Sequence, residues 1–374
     1  MNRCVLLALV IGAPLVAQDS AAVRGRGGRN QNGPPQWTGA MDSARARQLY
    51  VSKSPADIRG CAPAECEQYL TRKRRTDSVY AAKAAGRYEF QKIRYKSRVD
   101  GLEIPAYLFS PLSTSSKHPA LVWVHGGVHG DWDIGMYPFV AEAVKRGYVV
   151  VTPDYRGSTG YSDEWMKKID YGGKEVDDVR SAADFLAALP YVDGKRLGIM
   201  GWSHGGFITS HILFGEDNPF KAGAAIVPVT NLVFRLSDHG PGYARDYAAE
   251  EGIQGLPFER NCGPTHDQDC IDIYLKRSPV FHAENLKVPM LVHVATNDCD
   301  VFFREDQQMV YTLRALKPTL AETKIYKDPP PGAGGCGHTF SRRVNAQTLE
   351  RNDSPEQIDS WNRTWAFFAR TLKR

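Results

Sequence analysis

From Tyr88 onward the chain changes from scattered polarity to regular patterning. Phe90, Ile93 and Tyr95 are interleaved with polar residues, Asp100-Gly101 offers a turn, and Leu102, Ile104, Ala106 and Leu108 resume the alternation. A period of two broken by Asp-Gly predicts a β-hairpin. Continuous apolar runs follow, Ala-Leu-Val-Trp-Val at 120–124 and Tyr-Val-Val-Val at 148–151, which suit strands buried on both faces. Strands are expected at 120–125, 148–153, 196–200, 223–229, 289–295 and 322–327. Helices are expected at 136–146, 175–189, 205–214, 303–316 and 355–371. In helix 175–189, Val176, Val179, Ala183, Leu186 and Leu189 fall on one side, as packing against a sheet requires. Strand and helix alternating in this way predict a doubly wound, mostly parallel α/β sheet, entered through an antiparallel hairpin.

The remaining stretches read differently. Residues 1–17 have the form of a signal peptide, with Arg3, an apolar run from Cys4 to Val16, and Ala17 before the cleavage point. No other run reaches the ~18 uninterrupted apolar residues that a membrane span needs. An exported protein, periplasmic or extracellular and without stable membrane insertion, is therefore expected. Residues 18–40, rich in Gly, Arg, Asn, Gln and Pro, have little to bury and predict a disordered leader. Residues 41–87 suggest a helical extension, with the short loop Cys61-Ala-Pro-Ala-Glu-Cys66 inside it. Arg72-Lys73-Arg74-Arg75 reads as the wet face of a helix, and a formal charge of +5 over 374 residues gives no reason to invoke nucleic acid. The catalytic domain then spans 88–374. Residues 231–283 interrupt the alternation and form a cap-like insertion over the C-terminal strand ends.

The candidate chemistry centres on Gly201-Trp-Ser-His-Gly205, between the strand at 196–200 and the following helix. A serine on a sharp strand-to-helix turn needs small flanking residues, and the turn leaves the next amide facing the substrate. With 34 glycines in the chain, G-x-S-x-G arises by chance in roughly one such sequence in five, so position must support it. A nucleophilic serine needs a base and a carboxylate to orient that base. Asp298 follows an apolar strand and has Asp300 as its rival; a helix N-cap is the other use of either, and Asp300 suits that role. His338 lies in a glycine-rich loop before the closing helix, where the base belongs in the order Ser, Asp, His. Oxyanion donors are expected from the backbone N–H groups of Gly127, in His125-Gly-Gly-Val-His-Gly130, and of His204. His125 would shape that loop. The His204 side chain, Trp202 and Tyr243 are further pocket candidates. Neither His204 nor His293 shows metal-ligand spacing with another His, Cys or carboxylate, and neither a metal nor a cofactor is expected.

Pro153-Asp-Tyr-Arg-Gly-Ser-Thr-Gly-Tyr161, Tyr171-Gly-Gly-Lys-Glu-Val-Asp-Asp178, Pro190-Tyr-Val-Asp and Arg277-Ser-Pro-Val-Phe-His282 resemble hallmark stretches of the prolyl oligopeptidase family's catalytic domain. The resemblance runs from about residue 88 to 373. It implies an α/β-hydrolase fold and Ser203, Asp298 and His338 as the triad, with Asp298 three residues before Val301 as the family places its acid. Departures are Val128 where proline is usual, His204 where tyrosine is common, and too short an N-terminal stretch for the family's β-propeller. Acylation of the serine by short peptides is the expected reaction. An exported carboxylesterase with the same triad and a non-catalytic binding protein are the alternatives. Six cysteines would remain after signal removal. Proximity pairs Cys61 with Cys66 and Cys262 with Cys270, leaving Cys299 and Cys336 to join the acid and base loops. The sequence does not indicate an oligomeric state.

Overall fold

The hairpin and the alternation after it both form. The computed structural model describes residues 60–113, 115–238, 268–332 and 335–373. Its strands are β1 (Glu89–Lys96), β2 (Glu103–Ser110), β3 (His118–Val124), β4 (Val149–Pro153), β5 (Val192–Trp202), β6 (Ala222–Ile226), β7 (Met290–Ala295) and β8 (Ala321–Tyr326). They build one eight-stranded sheet in the order β1-β2-β4-β3-β5-β6-β7-β8. β1 and β2 are antiparallel, β2 runs antiparallel to β4, and every pairing from β4 to β8 is parallel. This is the α/β-hydrolase fold.

Helices cover both faces: α1 (Pro63–Ala84), α2 (Tyr137–Lys145), α3 (Asp163–Met166), α4 (Lys174–Ala188), α5 (His204–Phe214), α6 (Leu232–Asp238), α7 (Gln268–Lys276), α8 (Phe303–Leu316) and α9 (Pro355–Leu372). β3 shows why its sequence has no polar interruption. Ala120, Val122 and Val124 join one core with Val179 and Leu186 of α4, Phe207 of α5 and Leu313 of α8. Leu121 and Trp123 join the other core with Phe139 of α2 and Trp361, Trp365 and Phe368 of α9. Side chains that alternate across a pleated strand need apolar partners on both sides when both sides carry helices.

Of the expected extension at 41–87, α1 is described, and the leader and signal segment lie outside the described residues. The loop expected at 61–66 is instead the entry into α1. Pro63 occupies the first turn, where it sacrifices no hydrogen bond, and the Cys61–Cys66 disulfide closes that turn. The same helix corrects the reading of Arg72-Lys73-Arg74-Arg75 as a wet face, because Lys73 is buried. Its ammonium pairs with Asp154, donates to the Trp132 carbonyl at 3.1 Å and lies 4.5 Å over the Tyr107 ring. Asp154 also accepts from the Trp132 N–H at 2.8 Å and from the Tyr161 hydroxyl at 2.6 Å.

Removing one partner of a buried pair strands the other charge, at a cost of about 3–5 kcal/mol. Lys73→Met should therefore lower the unfolding free energy measured in urea by about that amount, and a loss below about 1 kcal/mol would show that water reaches the pair.

Candidate active site

β5 ends at Trp202 and α5 starts at His204, so the reversal of chain direction is concentrated in Ser203, at φ +54° and ψ −121°. A side-chain-bearing residue held there costs on the order of 1–3 kcal/mol, which the surroundings must impose. They do so by close backbone approach. A Cβ on Gly201 would sit 2.4 Å from the Gly205 carbonyl group, and one on Gly205 would sit 2.4 Å from the Val124 carbonyl oxygen. The Ser203 N–H donates to the Ile226 carbonyl at 3.1 Å, and its own carbonyl accepts from the Phe207 N–H at 2.9 Å. The His204 N–H, in the first turn of α5, has no intrahelical acceptor and lies at the positive end of the helix.

Asp298 and His338 lie on the loops that follow β7 and β8. His338 Nδ1 is 2.8 Å from Asp298 Oδ2. The other carboxylate oxygen, Oδ1, accepts from the Asp300 and Val301 N–H groups, both at 2.9 Å, which fixes its orientation. Burial pulls the His338 imidazole down, but the carboxylates of Asp298 and Asp300, with the hydrogen bond to Asp298, more than offset this and hold it above its ordinary value. Two further links join the loops, the Cys299–Cys336 disulfide and a 3.0 Å bond from the Gly337 N–H to the Asn297 carbonyl. A third holds the base loop to the elbow: the Trp202 indole donates to Ser341 Oγ at 2.7 Å, while Trp361 donates to the Ser341 carbonyl at 2.9 Å. The carbonyl and carboxylate of Asp300 accept from Arg235, and α8 starts at Phe303 without a side-chain cap. The expected N-cap role of Asp300 is therefore wrong.

The loop after β3 turns at Gly127, whose φ of +76° favours glycine. The Gly127 carbonyl accepts from the Tyr155 hydroxyl at 2.8 Å and the Gly130 N–H at 3.1 Å. Gly126 approaches the elbow most closely, since a Cβ there would lie 3.3 Å from Ser203 Cβ. His125 stacks on Tyr155 at 4.2 Å and contacts Ser158 Oγ at 2.9 Å, with its pKa pushed down by burial. The structure corrects the expectation that the His204 side chain lines the pocket. It turns into the core against Tyr171 (4.6 Å) and Phe207 (5.2 Å), with Nε2 3.8 Å from Glu175 Oε1. Burial holds it well below the ordinary histidine value and therefore neutral.

A cavity of about 320 Å³ opens beside the elbow. Two of the pocket candidates, His125 and Trp202, line it with Gly126, and much of its wall lies elsewhere: Tyr69 and Arg72 from α1, Asp131 and Asp133 beyond the glycine loop, and Arg342 beyond His338. Asp131, Asp133 and Arg342 lie within a few residues of the glycine loop or the base, which is the only local signal that points to them. Nothing local marks Tyr69 or Arg72. Tyr243 and Cys262 lie outside the described residues, as does the side chain of Cys270, so the Cys262–Cys270 pairing falls there too. Among the described residues, no three His, Cys, Asp or Glu side chains gather to hold a metal ion, and no helix is long and apolar enough to cross a membrane.

An α/β-hydrolase fold with a serine elbow and a paired acid and histidine on successive strand ends defines the class. The model of the prolyl oligopeptidase family matches residues 136–350, more than half of the chain. The chain belongs to that family. It is 29% identical over 276 residues to the uncharacterized peptidase YuxL of Bacillus subtilis, covering 72% of this chain and 38% of that one. It is 30% identical over 233 residues to the human acylamino-acid-releasing enzyme, covering 61% and 30%. The Pyrococcus horikoshii acylaminoacyl peptidase superposes with a TM-score of 0.60 at 24% identity, over 80% of this chain and 44% of that one. The chain thus spans less than half the length of these relatives.

Two outcomes follow from the geometry. Replacing Cys299 and Cys336 together with Ser should lower kcat/KM by about ten- to a hundredfold, through loss of register between acid and base, before the thermal midpoint falls comparably. Unchanged turnover would show the disulfide to be dispensable there. Glu175, buried and next to Asp170, has its carboxyl pushed up to about 8, by burial first and the Asp170 charge second. The folded state therefore keeps a proton that the unfolded chain releases, and stability falls as pH rises between the two values. Across about pH 5 to about pH 8, Glu175→Gln should lose less stability in urea than the parent, and equal slopes would refute the shift.

Proposed function

We propose that the chain is a serine peptidase that cleaves amide bonds of short peptides through an acyl-enzyme. The carrying observation is that Ser203, strained at its elbow, and the His338–Asp298 pair sit on strand ends tied together through Trp202 and Ser341. His338 Nε2 takes the Ser203 proton as Oγ attacks the scissile carbonyl carbon. It then passes that proton to the amine nitrogen as the C–N bond breaks. Water, deprotonated by the same imidazole, releases the acyl group and restores the serine. Asp298 holds the tautomer and stabilises the imidazolium. The N–H groups of His204 and Gly127 receive the developing oxyanion. Membership of the family and the likeness to a peptidase and to acylamino-acid-releasing enzymes support peptide substrates. The two disulfides fit the exported, oxidising setting read from the N-terminus.

The deciding comparison is kcat/KM on acylaminoacyl p-nitroanilides and on p-nitrophenyl esters, with Ser203→Ala as the blank. We expect anilide turnover that the blank lacks, and Ser203-dependent labelling by a fluorophosphonate. Turnover of esters alone would replace the peptidase reading with the carboxylesterase one. Because His338 must be neutral to act as base and its value is raised, kcat/KM should climb with pH through an apparent pKa above the ordinary histidine value. Asp298→Asn should lower kcat/KM on the order of 10³–10⁴-fold.

A further inference from the structure

The cavity beside the elbow holds two guanidiniums in different situations. Arg72 is paired, with Nη2 2.6 Å from Asp131 Oδ1 and 3.1 Å from Thr159 Oγ1. Arg342 reaches no carboxylate within ion-pair distance among the described residues, and its Nε is buried without an acceptor. Its guanidinium carbon stands 5.8 Å from the Trp202 ring. Burial pushes it down from its ordinary value, against the pull of Asp133, Asp300 and Asp298, yet arginine stays charged at any working pH. Asp133, the other charged group of the wall without an ion-pair partner, is occupied as a cap, its carboxylate accepting from the Gly135 N–H at 2.7 Å.

Position decides which part of a substrate would meet Arg342. With Nδ1 on Asp298, Nε2 is the ring nitrogen of His338 left to exchange a proton with the serine and the departing amine. The loop runs on from His338 to Ser341, held by the Trp202 indole, and then to Arg342. In the wall of the cavity Trp202 adjoins the nucleophile, and Arg342 lies on the loop that carries the base, the group that protonates the leaving amine. We propose that this cavity is a leaving-group subsite in which Arg342 receives the C-terminal carboxylate of a peptide cleaved one or two residues from its end. A guanidinium offers a planar pair of N–H donors that matches a carboxylate. A volume of about 320 Å³ admits one or two small residues and not a long chain. The inference rests on the peptidase reading and narrows it to substrates with a free carboxylate near the scissile bond.

The test is a matched pair, acetyl-Ala-Ala with a free carboxylate and acetyl-Ala-Ala amide, with released alanine or alaninamide measured by mass spectrometry. Alaninamide is the less basic amine and intrinsically the better leaving group, so a preference for the free acid has to come from binding. A charge-assisted bond predicts that the free acid is favoured about tenfold or more in kcat/KM. Arg342→Gln should bring the ratio close to one, and Arg342→Lys should keep part of it. Equal turnover of the pair, or preference for the amide, by the unaltered protein overturns the subsite without need of a variant. So does a ratio unmoved in Arg342→Gln, or a preference for unacetylated Ala-Ala that would place an ammonium in the cavity. If neither peptide is cleaved while acylaminoacyl p-nitroanilides are, the subsite fails and the peptidase reading stands. If no amide substrate is cleaved, that reading falls and takes the subsite with it.

Discussion

The structure turns on one residue's backbone. Ser203 is held at positive φ because α5 starts against the end of β3 so closely that Gly201 and Gly205 have no room for a Cβ. The reversal sends the two neighbours of the serine to opposite faces of the sheet. Trp202 enters the core with Trp123, stacked at 5.4 Å, and with Trp361. His204 enters the other side, under Tyr171 and Phe207. Relaxing the elbow would therefore disturb both cores, and the strain persists because each core opposes it.

The same arrangement positions the base. The Trp202 indole, buried for packing, still needs an acceptor, and Ser341 supplies it from the loop that carries His338. The acid loop is joined to the base loop by a disulfide, a backbone hydrogen bond and the His338–Asp298 contact. Three loops from distant parts of the chain thus act as one rigid body. Rigidity of this kind is what proton transfer over hydrogen-bond distances requires.

Much of this was legible in the sequence because local patterns encode it. Unbroken apolar strands such as Val149–Pro153 declare burial on both faces, and glycines at 201 and 205 declare a turn with no space. Cys299 could be paired with Cys336 because they stand one and two residues from Asp298 and His338, whose contact brings the two loops together. What was not legible depends on tertiary packing. Next to the serine, His204 looked like a pocket residue, but the helix it begins rotates it into the core. Asp300 had the spacing of a helix cap, but Arg235 takes its carboxylate and Asp298 takes the neighbouring amides. Lys73, in a run of four basic residues, looked solvated although it is the buried one.

Lys73 also explains how a helix far from the elbow in sequence comes to shape the site. Its partner, Asp154, belongs to the Pro153–Tyr161 stretch that marks the family. That carboxylate also receives the Trp132 N–H and the Tyr161 hydroxyl, so it fixes the floor beneath the glycine loop. By binding Lys73 it fixes α1 to the same floor, and α1 then presents Tyr69 and Arg72 to the cavity. Arg72 pairs with Asp131 there, which leaves Asp133 as the carboxylate of the wall whose charge acts on Arg342. A buried ion pair outside the lining of the cavity thus holds in place the helix that supplies two residues of its wall.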